Sequence, residues 1–204
     1  NLISHEYVVL LNSDVRVTEN WLVAPIEFLN SNIDYAACQP KILDDKSPLK
    51  FEYAGASGGF IDALGYPFCR GRLFDTLEHD EGQYDHINDV FWASGAALFV
   101  RREVYMKLGG LDESFFAHQE EIDLCWRILN EGHKIACIPQ SKVYHLGGAS
   151  LDKSSPKKTF LNFRNNLVML LKNLPLHSLI VIFIRMVLDG IAGVKFIKEG
   201  KDFF

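Results

Sequence analysis

The sequence predicts an α/β fold in which a mixed sheet is flanked by helices and followed by a helical tail. Short apolar, β-rich runs alternate with segments whose apolar residues recur at helical spacing. A length of 204 residues suits one domain with a small appendage. With 48% hydrophobic and 23% charged residues, the chain has enough apolar material for one sizeable core. These values exclude disorder, a collagen-like repeat and a disulfide-stapled miniature scaffold.

Residues 6–11 (EYVVLL) form a continuous apolar run, the pattern of a strand buried on both faces as in a parallel sheet. The run ends at Asn12, Ser13 and Asp14, and polar groups at the carboxyl end of such a strand lie where open α/β sheets place their ligands. Thr18 is the expected N-cap of a helix over residues 21–30, and residues 35–43 read as a second strand. Residues 52–66 are rich in Gly and Ala, whereas residues 67–88 are polar with little periodicity and predict a loop over the site. A strand over residues 91–100 (FWASGAALFV) leads into a short helix over 102–108, which ends at Gly109 and Gly110. Residues 120–130 give the clearest helix, with Ile122, Cys125, Trp126 and Leu129 at i, i+3, i+4 and i+7 and Gly132 closing it. Two strands, 134–138 and 142–145, are expected on either side of Pro139, and the pattern is helical from Pro156 onward with a break at Leu174 and Pro175. Cys38, Cys69, Cys125 and Cys137 show neither CxxC spacing nor a zinc-ligand rhythm, which predicts reduced core thiols of a cytosolic protein.

Charge is distributed unevenly. The whole chain has 26 acidic and 21 basic residues, a net charge of -5 that argues against nucleic acid as a partner. Residues 152–204 alone carry 9 basic and 4 acidic residues, so the tail is positive on a negative body. An anionic surface such as a membrane leaflet is its expected partner. Residues 176–197 are strongly apolar, but Arg185 and Asp189 interrupt them and share one narrow helical stripe with Ser178. Without an uncharged run of about 18 residues, an interfacial helix flanked by Lys195, Lys198 and Lys201 is expected in place of a crossing one. A helix that covers the sheet or pairs two copies is the alternative.

Four groups of residues offer chemistry. Asn12-Ser13-Asp14 reads either as an Asx-turn or as a metal ligand. Glu120, Glu121 and Asp123 open a helix, where carboxylates meet unsatisfied N–H groups. Adjacent glutamates cannot share one face, so at most one is expected to point into any pocket, where a carboxylate could serve as a general base. Asp123 and Arg127, at i and i+4, are expected to form a surface pair. His145 ends a strand ahead of Gly147-Gly148-Ala149-Ser150 and is either structural or a metal or phosphate contact. Trp92, Ser94 and Gly95 interrupt an apolar strand with an aromatic plate, a hydroxyl and bare backbone, and core packing explains Trp92 as well as sugar stacking does.

In combination these features are specific. The order LLNSD, then WASGAALFVRREVYMKLGGLDESFFAHQEEIDLCWRILNEGHKI, then VYHLGGAS resembles the family 2 glycosyltransferases of the Rossmann-like GT-A fold, especially the bacterial rhamnosyl- and galactofuranosyltransferase-like members, over about residues 1–172. The resemblance implies that Asn12, Ser13 and Asp14 stand at a DxD-type motif that binds the donor, a UDP- or dTDP-sugar. It further implies that Asp14 and His145 hold Mn²⁺ or Mg²⁺ against the donor diphosphate. Glu121 falls at the catalytic base with Glu120 as its supporter, where the family usually has Glu-Asp, so Glu121 is one methylene longer. Trp92, Ser94, Gly95 and His118 fall on the acceptor side. The implied reaction is inverting transfer to a saccharide or polyprenyl-linked acceptor in cell-surface polysaccharide synthesis, at the cytoplasmic face of the plasma membrane.

Residues 1–155 thus correspond to the C-terminal portion of a GT-A domain and residues 156–204 to a helical, membrane-associated tail. No nucleotide-binding half precedes Glu6, so this polypeptide alone is expected to bind donor weakly, to be inactive, or to pair with another copy. A non-catalytic saccharide- or partner-binding module is the competing reading. The presence together of Asp14, Glu120, Glu121 and His145 favours the enzyme, because packing alone does not require all four.

Overall fold

A computed structural model describes residues 5–147 and 156–198 of the chain. Its centre is β3 (Tyr35–Asp44), in which every residue except the two at the ends is buried. A six-stranded mixed sheet forms around it in the order β1 (Tyr7–Leu11), β9 (Ala97–Arg101), β3, β10 (Lys134–His145), β2 (Val15–Val17), with β8 (Asn88–Asp89) also paired to β10. β3 and β10 run parallel, and the other pairs are antiparallel.

Three strand expectations are corrected. The apolar run at residues 6–11 does not form a doubly buried strand: β1 is half-buried and bonds to β9 on one side among the described residues. Residues 91–96 do not extend β9. There Ser94 N–H donates to Gln39 Oε1 at 2.8 Å, Ser94 Oγ donates to the Ala54 carbonyl at 2.8 Å, and Ala97 N–H closes a turn onto the Ser94 carbonyl at 3.2 Å. Side chains thus take the place of a ladder. The two strands expected around Pro139 are one, with a register irregularity between Ile138 and Lys142 where proline supplies no N–H.

Helices cover both faces of the sheet. On one side, α1 (Val23–Ser31) packs Leu29 against Cys38, Phe99, Ala136 and Ile138, and Trp21 meets Phe99 edge-on at 5.2 Å between centroids. On the other side, α2 (Arg102–Lys107) and α3 (Glu120–Asn130) enclose Val100, Ile122, Leu124, Cys125, Ile128 and Ile135. Trp126 and Leu129 of the expected α3 stripe are half-buried at its margin. Burial raises the four free cysteines, Cys137 to about 11, as befits core thiols.

Asp123 is not on the surface, as its i, i+4 spacing with Arg127 suggested; it is fully buried. Its carboxylate accepts from Arg127 Nε at 2.8 Å, from Lys172 Nζ at 3.0 Å and from Asn173 Nδ2 at 2.9 Å. The latter two donors lie on α4 (Pro156–Asn173), so a buried charge needs its partners from a neighbouring helix and fixes that helix in place. Residues 67–88 are likewise more ordered than the expected loop. β4 (Gly59–Ile61) pairs with β5 (Pro67–Cys69), and β6 (Arg72–Leu73) with β7 (Thr76–Leu77). Buried Lys41 of β3 reaches Asp80 at 2.7 Å and also Asp85, which ties the insertion to the sheet.

α5 (Leu179–Lys198) follows the break at Pro175. Its Arg185 and Asp189 face the body: Arg185 lies 3.4 Å over the Tyr66 ring and donates to the Leu64 carbonyl, while Asp189 accepts from Tyr66 Oη at 3.1 Å. Ile180, Phe183, Val187, Ile191 and Val194 are exposed on other faces of the helix. Contrary to expectation, residues Leu176–Val194 are long and apolar enough to cross a membrane by length and composition. The side chains of Lys195 and Lys198, together with Lys201, lie outside the described residues, as do Gly148, Ala149 and Ser150.

Candidate functional site

Strand register creates the first half of the site. Val15 N–H bonds the Asn12 carbonyl at 3.2 Å, so the chain turns sharply after β1. β2 then pairs with the end of β10, Val15 opposite His145, and Leu146 N–H donates to the Asp14 carbonyl at 3.1 Å. As a result Asp14 Oδ1 lies 3.2 Å from His145 Nε2, with Asn12 Nδ2 at 3.5 Å from the same nitrogen. Ser13 is exposed at the tip of the turn.

The other ring nitrogen of His145 faces a residue that sequence reasoning missed. Glu52 Oε1 stands 3.3 Å from Nδ1, at ion-pair distance though off the hydrogen-bond direction, and both side chains are buried. Burial disfavours a charged His145, but Glu52 and Asp14 outweigh it and hold the imidazole above its ordinary range. A single acid in a Gly/Ala-rich stretch gave no sequence signal.

Among the described residues, no group of three or more His, Cys, Asp or Glu side chains gathers to hold a metal ion unaided. The pair Asp14 and His145 nevertheless fits a divalent ion that takes its remaining ligands from a diphosphate. A carboxylate and an imidazole nitrogen converge at one strand end, and the carboxylate, like the oxygens of a diphosphate, is a hard donor that suits Mn²⁺ or Mg²⁺.

The second half of the site is the start of α3. Phe116, His118 and Gln119 have φ values of 63°, 70° and 69°, a left-handed conformation that side chains disfavour. Asn165 of α4 holds this strained lead-in, its Nδ2 reaching the carbonyls of Phe115, Ala117 and His118 at 2.8–2.9 Å. Asn166 Nδ2 donates to Gln119 Oε1 at 3.1 Å. Asn165 and Asn166 were not recognised in the sequence, because asparagines on a helix face carry no motif.

Glu120 and Glu121 follow, each with one buried carboxylate oxygen that has no partner, as does His118 Nε2. Gly95 lies beside Glu121: a Cβ there would sit 3.4 Å from Glu121 Cβ, in ordinary van der Waals contact. Burial and then the Glu120 charge raise Glu121 to about 7; burial raises Glu120 as well and lowers His118. The two halves are joined through the backbone, since Asn12 N–H donates to the carbonyl of Ala96, next to Gly95. Ser94 is buried and bonded to Ala54 and Gln39. Trp92 differs from its assignment to the acceptor side: it is buried in the core, Gly59 backs onto its ring and its Nε1 donates to the Phe60 carbonyl at 2.8 Å.

Comparison with known proteins finds partial similarities. The chain is 26% identical over 152 residues to the O-antigen biosynthesis protein RfbC of Myxococcus xanthus, covering 72% of the chain. It is 33% identical over 88 residues, 43% of the chain, to an N-acetylglucosaminyl-diphospho-decaprenol L-rhamnosyltransferase of Mycobacterium tuberculosis. With the dTDP-rhamnosyl transferase RfbF of Shigella flexneri it shares 29% identity over 119 residues, 53% of the chain. These similarities are to bacterial proteins of polysaccharide synthesis, rhamnosyltransferases among them. The chain spans 11%, 28% and 40% of the lengths of those three relatives. No protein-family model matches it. In fold, the chain is similar to GalNAc-T7, solved with UDP, GalNAc and Mn²⁺, at a TM-score of 0.54 and 16% identity over 81% of the chain and 31% of that protein.

The raised Glu121 makes stability pH-dependent. Between its ordinary value of 4.5 and about 7, the folded chain keeps a proton that the unfolded chain has lost. The associated stability is therefore complete below the lower value and is lost as pH rises through the upper one. Glu121→Gln removes the ionisation, and urea unfolding should find it more stable than the parent by about 1–3 kcal/mol near pH 8, with the difference vanishing near pH 4.5. Equal stabilities at the higher pH would contradict the raised proton affinity of Glu121.

Proposed function

We propose that the chain carries the metal and acceptor side of an inverting glycosyltransferase that moves a sugar from a UDP- or dTDP-sugar to a saccharide or polyprenyl-linked acceptor in cell-surface polysaccharide synthesis. The observation that carries this reading is the joining of two chemically different centres: the Asp14–His145 contact and the half-buried Glu121 beside Gly95, linked by the Asn12–Ala96 hydrogen bond. The names and partners of the similar proteins support it. Asp14 and His145 would hold Mn²⁺ or Mg²⁺, which when bound neutralises charge on the departing nucleoside diphosphate.

Glu121 acts as the general base. Its raised pKa matches it to taking a proton from an acceptor hydroxyl near neutral pH, as that oxygen attacks the anomeric carbon from the face opposite the leaving group. One displacement inverts the anomeric centre without an intermediate on the enzyme. Glu120 raises the proton affinity of the base through like charge, and His118 and Gly95 border the acceptor.

Calorimetric titration with UDP and dTDP, with and without Mn²⁺, tests this reading. Metal-dependent binding is expected, falling at least tenfold in Asp14→Ala and in His145→Ala. Nucleotide binding that ignores Mn²⁺ and both substitutions would overturn it.

The tail belongs to the same proposal. α5 turns Arg185 and Asp189 toward the body and leaves a row of large apolar residues exposed, which suits a helix lying in an anionic leaflet at the cytoplasmic face of the plasma membrane. Co-sedimentation with phosphatidylglycerol vesicles should fall severalfold on the double change Phe183→Asp and Ile191→Asp, with thermal unfolding little altered. Unchanged partitioning would contradict the assignment.

A further inference from the structure

We propose that Gln39 is a positioning residue whose buried amide fixes the turn at residues 94–97, and through that turn the seat of Glu121 relative to the Asp14–His145 pair. The inference rests on the roles proposed above for those three side chains. Gln39 lies where the sheet opens: the pairing of β3 with β9 ends at Cys38 and Phe99, and the residues ahead of β9 leave the ladder. Ser94 N–H then has no strand to accept from it, and Gln39 Oε1 takes that place at 2.8 Å. On the other side, Gln39 Nε2 donates to the Gly55 carbonyl at 3.0 Å, with the carbonyls of Pro40 at 3.1 Å and Ala56 at 3.4 Å also in reach. The side chain is fully buried, so water does not compete for these bonds.

The turn held in this way touches both halves of the site. Ser94 Oγ donates to the Ala54 carbonyl at 2.8 Å and accepts from Ala96 N–H at 3.3 Å, while Ala97 N–H closes onto the Ser94 carbonyl at 3.2 Å. Residues 54–56 and 94–97 are clasped so closely that a Cβ at Gly55 would stand 2.3 Å from Ser94 Cβ, and the φ of +113° at Gly55 suits glycine. From the middle of the turn, Gly95 runs alongside Glu121: a Cβ there would lie 3.4, 3.6 and 3.8 Å from Glu121 Cβ, Cγ and Cδ. At the next residue the Ala96 carbonyl accepts from Asn12 N–H at 3.1 Å, two positions before Asp14. A shift of the turn therefore displaces the contact beneath one centre and the backbone beside the other.

An amide suits this place because it donates and accepts at once, whereas an ionised carboxylate only accepts and an ammonium only donates. Gln39→Met keeps the length of the side chain and removes both kinds of bond. Gln39→Asn keeps the amide but is one methylene too short to span from Ser94 to Gly55. Each variant frees Ser94 N–H from its acceptor and loosens the turn.

Hydrogen exchange of the full chain, followed by NMR, reads the turn without any substrate. In Gln39→Met the amides of Ser94, Ala97 and Asn12 should exchange about tenfold faster than in the parent, while those of the β3–β10 ladder keep their rates. Gln39→Asn should show the same local opening and replaces the methionine variant if that one does not fold. Unchanged exchange at all three amides, or acceleration spread evenly over the sheet as for a merely structural residue, would overturn the proposal. The seat of Glu121 is read by ¹³C NMR titration of its carboxyl group, assigned with Glu121→Gln. Glu120 on the same helix and the Cys125 thiol are its titratable neighbours, and residues 93–97 bring no charge to it. Burial is the largest cause of its rise to about 7, so water admitted by the loosened turn should lower the midpoint toward 4.5 in both Gln39 variants. A turn that opens while Glu121 titrates as in the parent would overturn the positioning role. If both readings come out as expected but sugar transfer is unaffected by Glu121→Gln, the control of the turn by Gln39 stands and the base reading fails.

Discussion

The pairing of β2 with β10 is the constraint on which the candidate site depends. Only three residue pairs define it, and the last sets Val15 against His145. Because side chains alternate between faces, a slip of one residue would turn His145 away from Asp14 and Glu52 together. Local bonds guard the register at both ends. Thr18 Oγ1 donates to the Lys142 carbonyl at 2.8 Å, Ser141 Oγ donates to the Trp21 carbonyl at 2.6 Å, and Leu146 N–H closes onto Asp14. Trp21, seated edge-on against Phe99, anchors the same segment to the core.

A second constraint acts from the other side of the sheet. The lead-in to α3 is strained at three residues that are not glycine, and a strained segment persists only where its surroundings over-determine it. α4 provides that support through Asn165 and Asn166 and through the ion cluster at Asp123. Removing one member of that cluster would leave buried charge without its partner, the situation in which a buried ion pair matters most to stability. The proposed base is thus placed by a helix distant in sequence, and α4 is as much part of the site's framework as the strands are.

Much of this was legible in the chain, for definable reasons. α3 spans the expected residues because its apolar spacing, its acidic first turn and Gly132 all agree. Asp14, Glu121 and His145 could be singled out because each ends or begins an element whose pattern is strong. Failures occurred where side chains replaced regular structure. Ser94 and Gln39 turn an apolar run into an irregular segment, and Pro139 bends a strand without breaking it. Asp123 was misplaced because spacing along one helix cannot show that a second helix covers it. Glu52 carried no signal because its importance lies in a contact across 93 positions of sequence with His145.

The central claim is that Asp14 and His145 form one half of a cation site completed by a nucleoside diphosphate. Crystals of the chain grown with UDP and Mn²⁺, with anomalous diffraction recorded at the manganese edge, test it most directly. The account predicts a single strong anomalous peak bonded to the Asp14 carboxylate, to His145 Nε2 and to the diphosphate. A diphosphate bound without manganese between these residues, or manganese held elsewhere, would contradict it.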